Sequence, residues 1–140
     1  MKKILLFAVL SLTVLSLSLG QGYKITVKIN GLSEDTLLLG YYYGKYQYVR
    51  DTVALDKSGK GVFETKDTVG GGIYFIVMPN KNFIEFVLDK EREFSIEADT
   101  TDLVKSVRAK GSSDNTSWFA YKVFIADRGT KIEALGKKIG

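Results

Sequence analysis

The chain has 140 residues and contains neither cysteine nor histidine. Without cysteine, disulfide bonds and thiol redox chemistry are excluded, because the thiolate is the nucleophile in those reactions. Without histidine, the chain lacks the side chain most often used for acid–base catalysis and for zinc binding. We therefore expect a protein that is not an enzyme and that binds no cofactor and no metal.

Little else in the sequence indicates a catalytic or nucleic-acid-binding site. Lys and Arg alternate with Asp and Glu along the chain instead of forming a basic cluster, which argues against nucleic-acid binding. Gly70, Gly71 and Gly72 open a predicted strand and not a helix, so a flexible connection is favoured over a phosphate-binding loop. The acidic residues near Asp56 and Asp99 lack the spacing of a calcium-binding loop.

The first 20 residues have the pattern of a helical secretory signal peptide. Lys2 and Lys3 precede an apolar run over residues 4–19, and small residues come before a predicted cut between Gly20 and Gln21. The alternative is a retained membrane anchor, but this run is short for the roughly 20 residues of a membrane span. A lipid anchor would need a cysteine at the cut. We therefore expect export to the periplasm or cell envelope, with membrane attachment only if the segment is retained.

Residues 21–112 are predicted to form an all-β domain, an antiparallel β-sandwich of about seven to nine short strands. Apolar and polar residues alternate from Tyr23 to about Gly111, which is the period of a half-buried strand. Turn residues such as Asn30 and Gly31 separate the runs. After a first strand at Ile25 to Ile29, the predicted strands cover residues 36–43, 47–55, 62–66, 73–78, 83–89, 94–98 and 107–110.

The period changes to that of a helix in residues 113–140. From Asn115 onward, apolar residues recur at spacings of three, four and seven, which places them on one helical face. Ser113 or Asp114 is the predicted N-cap. Gly129 and Gly136 each weaken a helix by up to about 1 kcal/mol relative to alanine. The second half of the helix therefore needs something to pack against.

The helical face is the first candidate contact surface. Its side chains could pack back on the sandwich or could dock a partner, and the pattern does not decide between the two for the segment from Trp118 to Ile125. Partner docking is favoured for the segment from Ile132 to Ile139. The candidate docking residues are Trp118, Tyr121, Ile125, Ile132 and Leu135.

A tyrosine-rich hairpin is the second candidate surface. Tyr42, Tyr46 and Tyr48 could form a platform for a sugar, a peptide or a protein, since tyrosine offers a flat apolar ring with a hydroxyl group. The simpler interpretation is that the tyrosines form cross-strand aromatic pairs. Alternation places Tyr41 and Tyr43 on one face and Tyr42 on the other, so they cannot all belong to one site.

The ordered set of turns and strands resembles one known family. Arg50-Asp51-Thr52 leads into the hairpin DKSGKGVF at residues 56–63. The segment GIYF at residues 72–75 is followed by FIEFVLDKEREFSIEADT and then by Lys110-Gly111-Ser112. Over Tyr23 to Arg128 the chain resembles the uncharacterised β-sandwich domain found at the N-terminus of exported thioredoxin-like proteins of Gram-negative anaerobic bacteria.

The resemblance implies a role as part of a larger assembly. In that family a helical segment and a thioredoxin-like domain with a C-x-x-C pair follow, so residues 113–140 would be the start of a linker to a further domain. Thiol–disulfide activity would belong to that further domain. We expect a non-catalytic accessory or docking domain whose partner is a thioredoxin-like domain or another envelope protein. The alternative is a freestanding periplasmic protein that binds a glycan or peptide through the tyrosine-rich hairpin.

Overall fold

The computed structural model describes residues 21–139, and the predicted signal peptide lies outside them. The described residues form eight strands and two helices. In chain order the elements are β1 (Tyr23–Asn30), β2 (Thr36–Tyr43), β3 (Tyr46–Ala54), β4 (Lys60–Thr65), β5 (Gly72–Val77), β6 (Phe83–Leu88), β7 (Glu93–Asp99), α1 (Leu103–Ser106), β8 (Arg108–Lys110) and α2 (Ser113–Ile139).

The strands form two four-stranded sheets. Sheet A has the order β4-β1-β7-β8, and sheet B has the order β3-β2-β5-β6. Strands β1 and β7 run parallel, whereas the other neighbouring strands run antiparallel. The predicted β-sandwich followed by a C-terminal helix is thus confirmed. The short helix α1, which the sequence pattern did not indicate, is capped by Asp102, whose carboxylate accepts the Lys105 N–H at 3.1 Å.

One hydrophobic core lies between the two sheets. The inward positions of β1 alternate with polar ones, as the sequence predicts, so that Ile25, Val27 and Ile29 are fully buried. Across the core, the rings of Phe86 in sheet B and Phe94 in sheet A meet edge to face with centroids 5.9 Å apart. Burial of a side chain of this size stabilises the fold by about 1.5–3 kcal/mol.

The turn between β3 and β4 has the geometry that its sequence predicts. The Asp56 carboxylate accepts hydrogen bonds from the Ser58 hydroxyl at 2.6 Å and from the N–H groups of Ser58 and Lys60 at 2.8 and 3.0 Å. These bonds, led by the one from the Ser58 hydroxyl, hold the pKa of Asp56 below its ordinary value. Gly59 has a φ of +82°, and a Cβ there would lie 2.4 Å from the Ile29 carbonyl oxygen. The Asp56 carboxylate therefore holds this turn together.

Candidate docking surface

Helix α2 is attached to the sandwich by about its first four turns. Asn115 and Phe119 are buried, and Val123 and Ala126 are half-buried. These positions are three or four residues apart and therefore share one face of the helix. The helix packs beside β6, β8 and α1, and Lys105 of α1 lies 4.0 Å from Asp127. Apolar residues at helical spacing do not mark this face clearly, because it is only partly apolar.

Side chains of α2 complete the hydrogen bonds of an edge strand. Strand β6 is the last strand of sheet B, so its outer N–H and C=O groups lack a neighbouring strand. Asn115 accepts the Val87 N–H at 2.6 Å and donates to the Val87 carbonyl at 2.8 Å. Trp118 donates its indole N–H to the Glu85 carbonyl at 3.0 Å. The helix thus closes this edge of the sheet.

The N-cap of α2 is Ser112. The sequence pattern had predicted Ser113 or Asp114, and that prediction is wrong. The Ser112 hydroxyl accepts the Asn115 N–H at 3.2 Å, and its carbonyl accepts the Thr116 N–H at 3.1 Å. Ser113 instead turns toward the connection between β6 and β7: its N–H and hydroxyl each donate to the Glu91 carboxylate at 2.6 Å. An acidic group at this end also interacts favourably with the helix dipole.

The contact between Glu91 and Ser113 makes the attachment of α2 sensitive to acid. The Ser113 hydroxyl and N–H lower the pKa of Glu91 below its ordinary value of 4.5. Because the folded pKa is depressed, the carboxylate stabilises the fold above the ordinary pKa, and this contribution is lost as the pH falls through the folded pKa. We expect Glu91→Gln to lower stability at pH 7 and to reduce the loss of stability below pH 5.

Urea unfolding of both proteins from pH 7 to pH 3 measures this difference. Glu93→Gln, at an exposed position two residues further on, is the matched control and should follow the natural chain at every pH. Equal pH profiles for Glu91→Gln and the natural chain would show that the contact with Ser113 contributes nothing to stability.

The opposite side of α2 presents an exposed apolar stripe, which we call the helix stripe. It consists of Tyr121, Phe124, Ile125, Ile132 and Leu135, all of which are exposed. At 3.6 residues per turn, these side chains cover a face about 100° wide, turned by about 160° from the face that packs on the sandwich. The helix stripe therefore points away from its own domain. Among residues 21–139, neither helix combines the length and apolarity needed to cross a membrane.

Four of the five predicted docking residues belong to this stripe, and Trp118 does not. Trp118 lies between the two faces of α2, half-buried, and its indole is bonded to Glu85 of its own domain. The ammonium group of Lys122 lies 4.9 Å from the centre of the Trp118 ring. The exposure of the other four residues agrees with a docking role. That role stays a prediction for Tyr121, Ile125, Ile132 and Leu135. Trp118 mainly anchors the helix.

The two sheets differ in the faces that they turn outward. The outer face of sheet A is polar, with Val62 as its one large apolar residue among positions such as Lys24, Glu64, Glu97 and Lys110. Sheet B has an apolar outer face, which we call the sheet B face. Its apolar members are Leu38, Tyr42, Val49, Ile73, Phe75, Val77, Phe83 and Val87. A sheet that faces water on one side normally shows polar residues there, so the sheet B face is suited to contact with another body.

Phe75 holds the centre of the sheet B face. Its ring lies over Gly40, where an added Cβ would come within 2.4 Å of the ring. The ring centroids of Tyr42 and Phe83 lie 5.0 and 6.4 Å from that of Phe75, so one aromatic row crosses β2, β5 and β6. Val49 of β3 pairs with Gly40 and extends the surface to the far edge. The signal in the sequence was the apolar character of β2 and β5 on both faces.

The helix stripe and the sheet B face meet at one corner of the domain. Val87 of β6 and Trp118 and Tyr121 of α2 line the same open hollow of about 500 Å³. The only charged side chain on the sheet B face among the described residues is Glu85, whose carboxylate lies 3.5 Å from the Lys122 ammonium group. Asp89 and Asp114 also line this hollow. The two surfaces therefore form one mainly apolar region that bends from the sheet to the helix, with two acidic residues at the corner.

The tyrosine-rich hairpin does not form one platform. Tyr48 stacks on Tyr41 across the hairpin with ring centroids 5.6 Å apart, and Tyr46 lies opposite Tyr43 in the register. Tyr42 points to the other side and contacts Phe75. Tyr46 and Tyr48 are exposed, but they do not share a face with Tyr42. The interpretation as cross-strand pairs is thus confirmed, and the three candidate surface tyrosines belong to two different surfaces.

A cavity of about 550 Å³ lies where β2 ends and β5 begins. The Tyr74 hydroxyl donates to the Gly70 carbonyl at 2.6 Å, and burial raises the pKa of Tyr74. Gly72 opens a strand, which confirms a strand connection here instead of a phosphate-binding loop. The cavity is lined by Tyr41, Tyr42, Tyr43, Arg50, Thr68, Val69, Gly70, Gly71, Gly72, Ile73, Tyr74 and Glu85.

The described residues thus define a β-sandwich domain that carries a helical arm with an exposed apolar side. The chain belongs to the family described as Domain of unknown function (DUF4369), whose model matches residues 23–118. This match covers both sheets and the start of α2, up to Trp118. The predicted membership in an uncharacterised domain family is therefore confirmed. A search of the curated proteins finds no match to the chain.

Proposed function

We propose that the protein is an exported, non-catalytic accessory domain that docks onto a thioredoxin-like domain or another envelope protein. The observation that carries this proposal is the continuous apolar region formed by the helix stripe and the sheet B face. Large exposed apolar patches are uncommon on monomeric proteins and are typical of interaction surfaces. The export signal predicted in the first 20 residues supports a place in the periplasm or cell envelope.

The chemistry of the described residues supports a non-catalytic role. The carboxylates of Asp56, Glu91 and Asp99 have lowered pKa values because they accept hydrogen bonds that hold turns or the start of α2. A general acid would instead need a raised pKa and a place in a cleft. Within residues 21–139 no three acidic side chains come close enough to hold a metal ion. The apolar region offers a binding surface and no reacting group.

The resemblance to the N-terminal domains of exported thioredoxin-like proteins supports a thioredoxin-like partner. Any thiol–disulfide chemistry would then come from that partner, since the chain has no cysteine. The partner could be joined covalently or held by the apolar region. In either case the accessory domain contributes position and stability, and the partner contributes the reactive thiolate.

Cross-linking of lysines in intact cells, read by mass spectrometry, tests the docking role. Lys122 and Lys131 are on α2, beside the helix stripe, whereas Lys24 and Lys110 are on the polar face of sheet A and serve as the internal control. We expect cross-links from the α2 lysines to a thioredoxin-like domain, and few from the sheet A lysines. Cross-links that come only from sheet A would contradict the proposal.

The intact mass of the native product tests export and the mode of attachment in the same sample. A mass equal to residues 21–140 would support signal cleavage and a non-covalent partner. A much larger mass would support a covalently joined thioredoxin-like domain. A mass that includes residues 1–20 would contradict cleavage of the signal.

A second candidate function is the binding of a glycan or peptide, and the cavity between β2 and β5 favours it. Its volume is within the range of small-ligand sites, and several tyrosine rings and the Arg50 guanidinium line it. If this function is correct, Tyr42→Ala should weaken binding to at least one oligosaccharide or peptide of a panel at least tenfold, while Tyr121→Ala on α2 leaves binding unchanged. A panel without any binding to the natural chain would exclude it.

A further inference from the structure

We propose that the helix stripe of one protomer packs on the sheet B face of a second copy, and that the second copy returns the same contact. This inference rests on the docking role proposed above: a second copy of the chain is the envelope protein that occupies the apolar region, and a thioredoxin-like partner would then be joined covalently. The resulting dimer has a two-fold axis, because each protomer gives a helix and receives one. Such isologous pairs are the commonest form of protein oligomer.

The first argument is that the chain presents two different unpartnered apolar surfaces that fit each other. A helix with an apolar stripe and a sheet with an apolar face are the two components of a helix-on-sheet layer. The helix stripe points about 160° away from the side of α2 that packs on its own sandwich, so it cannot reach its own sheet B face. Only a second molecule can bring the two surfaces together.

The length of the helix stripe also matches the width of sheet B. From Tyr121 to Leu135 the helix stripe is about 21 Å long at 1.5 Å per residue. Four strands spaced by about 4.8 Å span about 14 Å between the outermost strand axes, and side chains add several ångströms on each side. One helix stripe therefore covers the width of sheet B, from Phe83 on β6 to Val49 on β3.

The surface area that the two protomers would bury is large enough for a stable dimer. A half-exposed large side chain offers on the order of 100 Å². The five residues of the helix stripe and the three exposed residues of the sheet B face, Tyr42, Val49 and Phe83, would together bury about 800 Å² from each protomer. Two protomers would then bury about 1,600 Å², which is the size of a standard specific interface.

Few charges oppose the contact between the helix stripe and the sheet B face. Glu85, the charged member of the sheet B face, is already paired with Lys122 of its own helix. Arg128 lies on the same side of α2 as the helix stripe, and its guanidinium group lies 5.0 Å from the centre of the Phe124 ring. A long arginine side chain can keep its charged end in water while its stem covers an apolar surface.

The experiment is the solution mass of the exported full chain, measured by sedimentation equilibrium over a concentration series. We expect a dimer for the natural chain. Ile132→Asp on the helix stripe and Phe83→Asp on the sheet B face, at positions 68% and 52% exposed, should each weaken the dimer at least tenfold without unfolding the domain. Val62→Asp, at a 38% exposed position on sheet A, is the matched control and should leave the dimer intact.

Mixing the two disruptive variants separates the reciprocal arrangement from other dimers. The Phe83→Asp variant still has a natural helix stripe, and the Ile132→Asp variant still has a natural sheet B face. A mixed pair therefore keeps one undamaged contact, in which the first of these surfaces packs on the second. We therefore expect the mixture to dimerise more strongly than either variant alone. If Phe83→Asp dimerises as the natural chain does, the two copies pair through their helices alone and the proposal is wrong.

A monomeric natural chain would also overturn the inference. If a monomeric chain still gave cross-links from Lys122 and Lys131 to a thioredoxin-like domain in cells, the docking role would stand without the dimer. If those cross-links were absent as well, both the docking role and the dimer would be wrong. The two failures are therefore distinguishable.

Discussion

Phe119→Ala is expected to lower the free energy of unfolding by about 3–5 kcal/mol, which is the range measured for removal of a buried phenylalanine ring. Phe119 is 4% exposed and is part of the core cluster between the sheets. Its removal leaves a cavity where α2 meets the sandwich, next to Leu103 and Val107 around α1. Urea unfolding followed by tryptophan fluorescence measures the effect, since Trp118 is the only tryptophan in the chain.

Phe124→Ala is the matched control for this change. It makes the same substitution five residues further along the same helix, but Phe124 is 54% exposed and belongs to the helix stripe. We expect an effect within about 0.5 kcal/mol at protein concentrations where the chain is monomeric. Equal effects of the two substitutions would mean that α2 is not anchored through Phe119.

The sequence predicted the elements of the fold well because their periods are strong. The alternation in β1 is strict, since every second residue enters the core and the others meet water. The turn at Asp56 and Gly59 follows from its residues, because Asp can bond the backbone a few residues on and Gly accepts a positive φ, and the structure shows both. The parallel pairing of β1 with β7 could not be predicted, because alternation fixes which face of a strand is buried and not which strand lies beside it.

The candidate surface was predicted only in part, because apolar patterns do not say which side of an element meets solvent. On α2 the sequence favoured the strongly apolar face, and that face is the exposed one. The face that packs on the sandwich carries Asn115, which a pattern of apolar residues passes over. In sheet B, β2 and β5 are the two central strands and are apolar on both faces, but no element among residues 21–139 covers their outer face.

Asn115→Leu is the change with the second large expected effect, because it removes the clamp on the edge of β6. Leucine has a similar size but cannot hydrogen-bond, so the Val87 N–H and C=O would be left without partners beside an apolar side chain. Each unsatisfied buried group costs about 1–3 kcal/mol, so we expect a total loss of about 3 kcal/mol or more. Urea unfolding measures the loss, and hydrogen exchange at the Val87 amide shows whether its protection disappears.

Asn30→Leu is the control for the same chemical change at the surface. The Asn30 side chain donates to the Glu97 carboxylate at 3.2 Å in a solvent-exposed hydrogen bond, which water can replace. We expect an effect within about 0.5 kcal/mol for this variant. Only Asn115→Leu should also increase light scattering at high concentration, because an uncovered edge strand can pair with another chain. A soluble Asn115→Leu protein with full protection at Val87 would show that the edge of β6 does not depend on the Asn115 side chain.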